Sequence, residues 1–115
     1  MALPHTFHGT PRDHFAAQPS NEPYLPPGYA RDGFIHCTDG ADRLLATLTA
    51  YYADQPGEWV ALVIDTDLLT SPMKYEDPER VFPHIYGPVN RDAIIEVRAL
   101  TRAEDGAFVG LEAAK

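Results

Sequence analysis

The stretch WVALVID, residues 59 to 65, is an uninterrupted apolar run that follows the turn-forming QPGE and ends in an aspartate. Its short length and β-branched residues favour a strand over a helix, and its apolar character on both faces predicts a central strand. Other short segments predict further strands around it. These are LPHTFHG (3–9), a short strand that starts at Phe34 and Ile35, MKYED (73–77), FPHIYG (82–87) and AIIEVRAL (93–100). The tail 103–115 either adds an edge strand or frays.

Two segments predict helices. TPRDHFAA, residues 10 to 17, offers Thr10 as N-cap and Pro11 at the first helical position. A second helix is expected from residue 41 to residue 53, with Thr38 or Asp39 as its cap. The order β-α-β-α-β-β-β-β predicts an α+β fold with a mainly antiparallel or split sheet and helices to one side. The face of the second helix expected in the core consists of Leu44, Leu45, Leu48, Tyr51 and Tyr52.

The composition indicates a small acidic protein. A chain of 115 residues predicts a single domain over residues 1–115. Its formal charge of -8 disfavours loose binding to DNA or anionic lipid and leaves a small-molecule partner as the expected one. The single Cys37, the absence of an apolar run long enough to span a bilayer, and an N-terminus unlike a secretory signal predict a cytoplasmic protein. The oligomeric state is left open.

Prolines concentrate in QPSNEPYLPPGYARDG, residues 18 to 33. Long loops within compact domains often cover binding sites, so this segment is a candidate lid or rim over a pocket. An ordered surface loop is the alternative.

DGFIHCT, residues 32 to 38, places His36 beside Cys37. Neighbouring side chains of a strand point to opposite faces, so if His36 faces a pocket, Cys37 is a buried apolar residue and not a nucleophile. In FPHIYGP, residues 82 to 88, the same alternation places His84 and Tyr86 on one face between two stiffening prolines. The alternative is a core tyrosine with His84 as its polar partner.

FHGTP, residues 7 to 11, follows a strand histidine with a glycine. Gly9 leaves its backbone uncovered for a flat ligand, and Thr10 adds a hydroxyl near an expected helix N-terminus. The alternative is an ordinary strand end.

The five histidines do not show the spacing of a zinc protease, so no metal site is predicted. A third hypothesis is nevertheless a metal-dependent hydrolase, whose ligands would be His36, His84 and Glu76.

From about Thr6 to Thr101, the order and spacing of these motifs resemble the family of domain of unknown function 952. The resemblance implies an ADP-ribosyltransferase-like fold, in which a split, mainly antiparallel sheet has two helices packed against it. It also implies NAD or an ADP-ribose-containing nucleotide as the ligand, bound in a histidine-lined cleft. Three histidine motifs in so short a chain are most simply explained by one polar site, so His8, His36 and His84 are expected to converge on that cleft. The implied catalytic residues are His36 and His84, and the implied nucleotide-binding residues are His8, Gly9, Thr10, His36, Thr38 and Tyr86.

The chain departs from that resemblance at the third position of the superfamily pattern, where active transferases carry a glutamate. FPHIYGP offers no acid, and Glu76 and Glu96 are the substitutes that the sequence contains. The start of the second helix has Asp42 near the place where a glutamine is common in the family. A transferase acting on NAD or ADP-ribose is therefore one hypothesis, and a binding module that retains the fold without the chemistry is another.

Overall fold

The computed structural model describes residues 5–112. Within that range the chain forms two antiparallel sheets, of four and three strands, and three helices. The strands are β1 (His5–Pro11), β2 (Ile35–His36), β3 (Trp59–Asp65), β4 (Met73–Tyr75), β5 (Pro83–Ile85), β6 (Ile94–Arg102) and β7 (Phe108–Leu111), and the helices are α1 (Arg12–Ala17), α2 (Tyr29–Asp32) and α3 (Ala41–Tyr52), with a 3-10 turn at Arg91–Ala93.

Strand β3 is central, as its sequence predicts. The larger sheet has the order β1-β3-β6-β7, and six of the seven residues of β3 are buried. Alternate residues face opposite sides: Trp59 and Ala61 pack with α3 and β7, whereas Val60, Leu62 and Ile64 pack against the smaller sheet, β2-β5-β4. Helix α3, the larger sheet and the smaller sheet therefore form three successive layers.

Helix α3 confirms the second predicted helix, but its details differ. Its N-cap is Gly40, at φ 91°, and no side chain caps it, so the expectation for Thr38 and Asp39 was wrong. Thr38 instead exchanges backbone hydrogen bonds with Phe7 and joins the two sheets. Leu44 and Leu48 are buried as predicted, whereas Tyr51 is 73% exposed and does not belong to the core.

The first predicted helix begins later than expected. Strand β1 continues through Thr10 to Pro11, because both residues pair with the start of β3. Thr10 therefore caps no helix; its hydroxyl is hydrogen-bonded to Tyr24 instead. The local cap pattern was overridden by strand pairing, which satisfies backbone groups over the full length of β1.

The proline-rich segment 18–33 is held in place by contacts with residues that are distant in sequence. Tyr24 exchanges backbone hydrogen bonds with Val89, and its side chain is fully buried. The segment ends in α2, which is terminated by Gly33 at φ 78°, and strand β2 follows directly. The chain is thus a mixed α/β protein of mostly antiparallel strands with few helices, as predicted, and in the described part of the tail Phe108–Leu111 form the edge strand β7. No helix within residues 5–112 is long and apolar enough to cross a membrane.

Candidate functional site

A cavity of about 860 Å³ opens between α3, the end of β1 and the segment that leads into β2. One wall is formed by residues 8 to 11, a second by α3, and a third by residues 26 to 28 of the proline-rich segment. On the side of the smaller sheet the lining includes Phe34, His36 and His84, together with Phe82. Its volume lies within the range of small-molecule sites, about 300–1,000 Å³. The proline-rich segment therefore forms part of the rim, as expected.

The smaller sheet presents an aromatic surface beside this cavity, which we call the two-histidine face: Phe34, His36, His84 and Tyr86. His36 and His84 are direct cross-strand partners on β2 and β5, and their ring centroids are 5.5 Å apart. Phe34 stacks on His84 with its centroid 4.0 Å away and meets His36 at 4.8 Å. Strand alternation produces this face, because Ile35 and Ile85, the adjacent cross-strand pair, are fully buried on the opposite side.

Each histidine of the two-histidine face has a carboxylate partner. His36 Nε2 lies 3.2 Å from Asp32 Oδ2, and His84 Nδ1 lies 3.1 Å from Glu76 Oε1. The Tyr86 hydroxyl donates a hydrogen bond to the same Glu76 oxygen. An ionised carboxylate only accepts hydrogen bonds, so the histidine nitrogens that face Asp32 and Glu76 carry the hydrogens. Nδ1 of His36 and Nε2 of His84 lie on the far side of each ring from its carboxylate.

Both carboxyl groups are held in the ionised form. The guanidinium of Arg31, which binds both oxygens of Asp32, lowers the pKa of Asp32, and the bond from His36 acts in the same direction. Hydrogen bonds from Tyr86 and then His84 lower the pKa of Glu76. The face is therefore a set of two imidazoles oriented by two anions.

His8 lies behind this face, in a buried polar group that we call the His8 network: His8, Thr10 and Tyr24. His8 Nδ1 donates to the carbonyl oxygen of His36 at 2.7 Å, and Nε2 lies 3.2 Å from the Tyr24 hydroxyl, which is 2.8 Å from Thr10 Oγ1. Burial lowers the pKa of His8 from 6.5 to about 4. The ring is therefore neutral at pH 7, and both of its nitrogens are already hydrogen-bonded within the protein.

The predicted site residues thus divide into two groups. His8, Gly9, Thr10, Thr38, His36 and His84 all line the cavity, but only the last two project polar side chains that are at least partly exposed. A Cβ at Gly9 would lie 2.7 Å from the methyl groups of Leu48, so Leu48 covers the surface on which the sequence places a flat ligand. Tyr86 lies on the two-histidine face beside Glu76, outside the cavity lining.

Cys37 is confirmed as a core residue. Its side chain is 3% exposed, and burial raises the pKa of its thiol. A buried protonated thiol is a poor nucleophile, which agrees with the alternation argument. Within residues 5–112, no three histidine, cysteine or carboxylate side chains are arranged to hold a metal ion.

Sequence reasoning did not single out Phe34 or Asp32 as site residues, and it named Glu76 only as a ligand of the third hypothesis and as a substitute acid. Glu76 follows β4, the strand that pairs with β5, and lies eight residues from His84 in sequence, so only the register of β4 and β5 brings them together. Asp32 lies four residues before His36 across the sharp turn at Gly33. The only sequence signal for that pair is the glycine itself, which marks a left-handed turn between them. Glu96, the other proposed acid, lies on β6, opposite Val63, and belongs to neither pair.

The fold is that of a small mixed α/β domain. Its cavity is lined by histidine and aromatic side chains. Residues 9–97 match the family model described as Protein of unknown function (DUF952), and the chain belongs to that family. Among solved structures, the protein CC0527 from Caulobacter crescentus is similar, with a TM-score of 0.75, 20% identity, and coverage of 91% of this chain and 93% of that one. A double mutant of CC0527 is similar to the same extent at 19% identity. These likenesses show the fold alone, and no curated protein matches the chain.

Proposed function

We propose that this protein binds NAD or another ADP-ribose-containing nucleotide in the cavity beside the two-histidine face. The main support for the proposal is one shared cavity: it is lined by His8, Gly9 and Thr10 from the first motif and by His36 and Thr38 from the second. Those two motifs carry the resemblance to the ADP-ribosyltransferase-like fold. The cavity volume, about 860 Å³, suits a ligand of nucleotide size.

The roles within this proposal follow from which atoms are accessible. His36, whose side chain is 59% exposed, and Arg31, which lines the cavity, are the groups that can reach the pyrophosphate. The ring of Tyr51 is exposed on the α3 wall and can stack on a base. His8 acts indirectly, because its bond to the His36 carbonyl holds the start of the second motif in place.

If this protein is a transferase, Glu76 is the acid that its third motif lacks. It lies beside His84 and Tyr86, and its lowered pKa keeps it negative. A negative carboxylate next to the cavity can stabilise positive charge that develops on a ribose during transfer. The same proposal places the protein in the cytoplasm, where such nucleotides and reduced thiols such as that of Cys37 are common.

A second candidate is a binding module of the same fold without transferase chemistry. Leu48 favours this alternative, because its methyl groups occupy the surface of Gly9. In that case the nucleotide would bind through the exposed groups without being consumed.

Calorimetry and thermal shift test the proposal with NAD, ADP-ribose, AMP and nicotinamide at millimolar concentration. A Kd of about 100 μM would raise the stability by about 1.4 kcal/mol at ten times that concentration, or several degrees of Tm. The variants His36→Ala and Tyr51→Ala should remove most of the shift. His14→Ala is the matched control, since His14 lies outside the cavity lining and hydrogen-bonds to Leu25 and Gln18.

Three outcomes distinguish the candidates. Binding of ADP-ribose that is lost in His36→Ala and kept in His14→Ala supports the proposal. Binding without release of nicotinamide from NAD favours the binding module over the transferase. No binding of any of these nucleotides overturns the proposal, and a shift produced by a divalent metal alone would favour the metal-dependent hydrolase.

A further inference from the structure

His36 and His84 are arranged so that they can transfer protons to and from a ligand that contains no nicotinamide. The two rings lie opposite each other on neighbouring strands, with centroids 5.5 Å apart and planes inclined by 76°. Each ring is oriented by a carboxylate through one nitrogen, which leaves the other nitrogen to meet a ligand. Two imidazoles at this separation can both hydrogen-bond to one tetrahedral group.

The charges around the two rings differ. Asp32 is already paired with Arg31, whose Nε lies 2.9 Å from Asp32 Oδ1. Glu76 forms an ion pair with His84, and the positive charge of Lys74 also acts on Glu76. Phe34, stacked on His84, adds a ring face that attracts a cation. On this geometry we assign the proton-donor role to His84, which faces Glu76, and the proton-acceptor role to His36, whose Asp32 is paired with Arg31.

We infer that His36 and His84 form a general base and general acid that hydrolyse the phosphodiester of a nucleoside 2′,3′-cyclic phosphate. The inference rests on the proposed function only in using the same nucleotide-sized cavity. A mononucleotide fits the acidic charge of the protein better than a polynucleotide does, because a net charge of -8 repels a long polyanion. A five-membered cyclic diester is also strained, which lowers the demand on the catalyst.

The reaction balances with water as the only co-reactant. Nδ1 of His36 takes a proton from water as the water oxygen forms a bond to phosphorus. The bond between phosphorus and one ribose oxygen breaks, and protonated Nε2 of His84 gives its proton to that oxygen. The product is a nucleoside monophosphate, and proton exchange with solvent restores both histidines.

Two positive groups lie near the histidines, and one of them, Arg31, is in the cavity lining and can hold the charged phosphate. Arg31 lines the cavity next to His36, and Lys74 is the cross-strand partner of His84 on β4, so the order across the smaller sheet is Lys74, His84, His36. The Nζ atom of Lys74 lies 5.3 Å from the centroid of the Tyr86 ring. Positive groups placed at the phosphate stabilise the negative charge of the transition state.

The test incubates the full chain with adenosine 2′,3′-cyclic phosphate, with and without EDTA, and measures the adenosine monophosphate formed. His36→Gln and His84→Gln should each lower kcat/KM by about 100-fold or more, as expected for loss of a general acid or base. His14→Gln is the control, and it should keep the wild-type rate. Tm values of all three variants show whether each one is folded.

Formation of monophosphate that resists EDTA and is lost in both site variants supports the inference. The inference is overturned if the wild type shows no turnover, if either folded site variant retains the wild-type rate, or if EDTA abolishes the reaction. Failure of the reaction with ADP-ribose still bound in calorimetry leaves the proposed function standing. Turnover without ADP-ribose binding would instead remove the proposed function and leave this inference standing.

Discussion

The His8 network and the two-histidine face contain the same kind of side chain in opposite environments. His8 is buried, neutral at pH 7 and hydrogen-bonded at both nitrogens. The His36 side chain is 59% exposed and that of His84 is 22% exposed, and each meets a carboxylate through one nitrogen. The two regions are joined by one bond, from His8 Nδ1 to the His36 carbonyl oxygen. Histidines of one chain can therefore be built into the buried interior or lie exposed at a cavity, and burial decides whether both ring nitrogens are used within the protein.

The largest expected effect concerns the centre of the His8 network. Tyr24 is fully buried, and its ring packs near those of Phe15 and His8. Tyr24→Ala should lower the free energy of unfolding by about 3–5 kcal/mol, the usual cost of removing a buried aromatic ring. Urea denaturation at pH 7 measures it. Tyr51→Ala, at an exposed position, is the control, and an equal loss in both variants would contradict the assignment of Tyr24 to the core.

An intermediate effect is expected from pH. The pKa of His8 falls from 6.5, its ordinary value in an unfolded chain, to about 4 in the folded state, so the unfolded state binds more protons between these values. The contribution of His8 to the free energy of unfolding is therefore fully present above pH 6.5, and it is lost as the pH falls towards 4. The loss between pH 7 and pH 5 should be about 2 kcal/mol by linkage.

Urea denaturation at both pH values measures this slope. His8→Gln, which cannot titrate, should remove most of it, whereas His14→Gln should retain it. If the wild type and His8→Gln showed the same dependence on pH, the buried neutral state of His8 would be refuted. The comparison is made between variants, so contributions of other groups cancel to first order.

The smallest effect on stability is expected on the two-histidine face. Glu76→Gln and Tyr86→Phe remove an exposed hydrogen bond that water can replace, so Tm should change by no more than about 1 °C. Differential scanning calorimetry measures the change. A decrease of several degrees in either variant would mean that this face stabilises the fold, and would weaken the contrast with the His8 network.

Much of the fold was predictable because it depends on local patterns. The apolar run of β3 specifies a strand buried on both faces, and the spacing of Leu44 and Leu48 specifies the inner side of α3. Strand alternation correctly separated exposed His36 from buried Cys37. These predictions are confirmed because the repeat of a strand or a helix decides, within one segment, which side chains share a face.

The errors arose where a distant partner competed with a local signal. Thr10 and Thr38 each have the sequence of a helix cap, but β1 pairs with β3 through Pro11, and Thr38 pairs with Phe7. Tyr51 fits the helical period of α3, yet its place on the helix is next to the cavity and not to a sheet. Local propensity differs by a few tenths of a kcal/mol to about 1 kcal/mol, which sheet pairing and burial readily exceed.

The amino-acid sequence alone dictated which side chains share a strand face: His36 lies opposite Cys37 and His84 shares a face with Tyr86, and the net charge disfavours a polyanionic partner. Tertiary packing was needed to bury His8, to place Leu48 over Gly9, and to bring Glu76 beside His84. The physical reason is that periodicity is a property of a single segment, whereas burial and cross-strand pairing depend on registers and layer contacts between segments far apart in the chain.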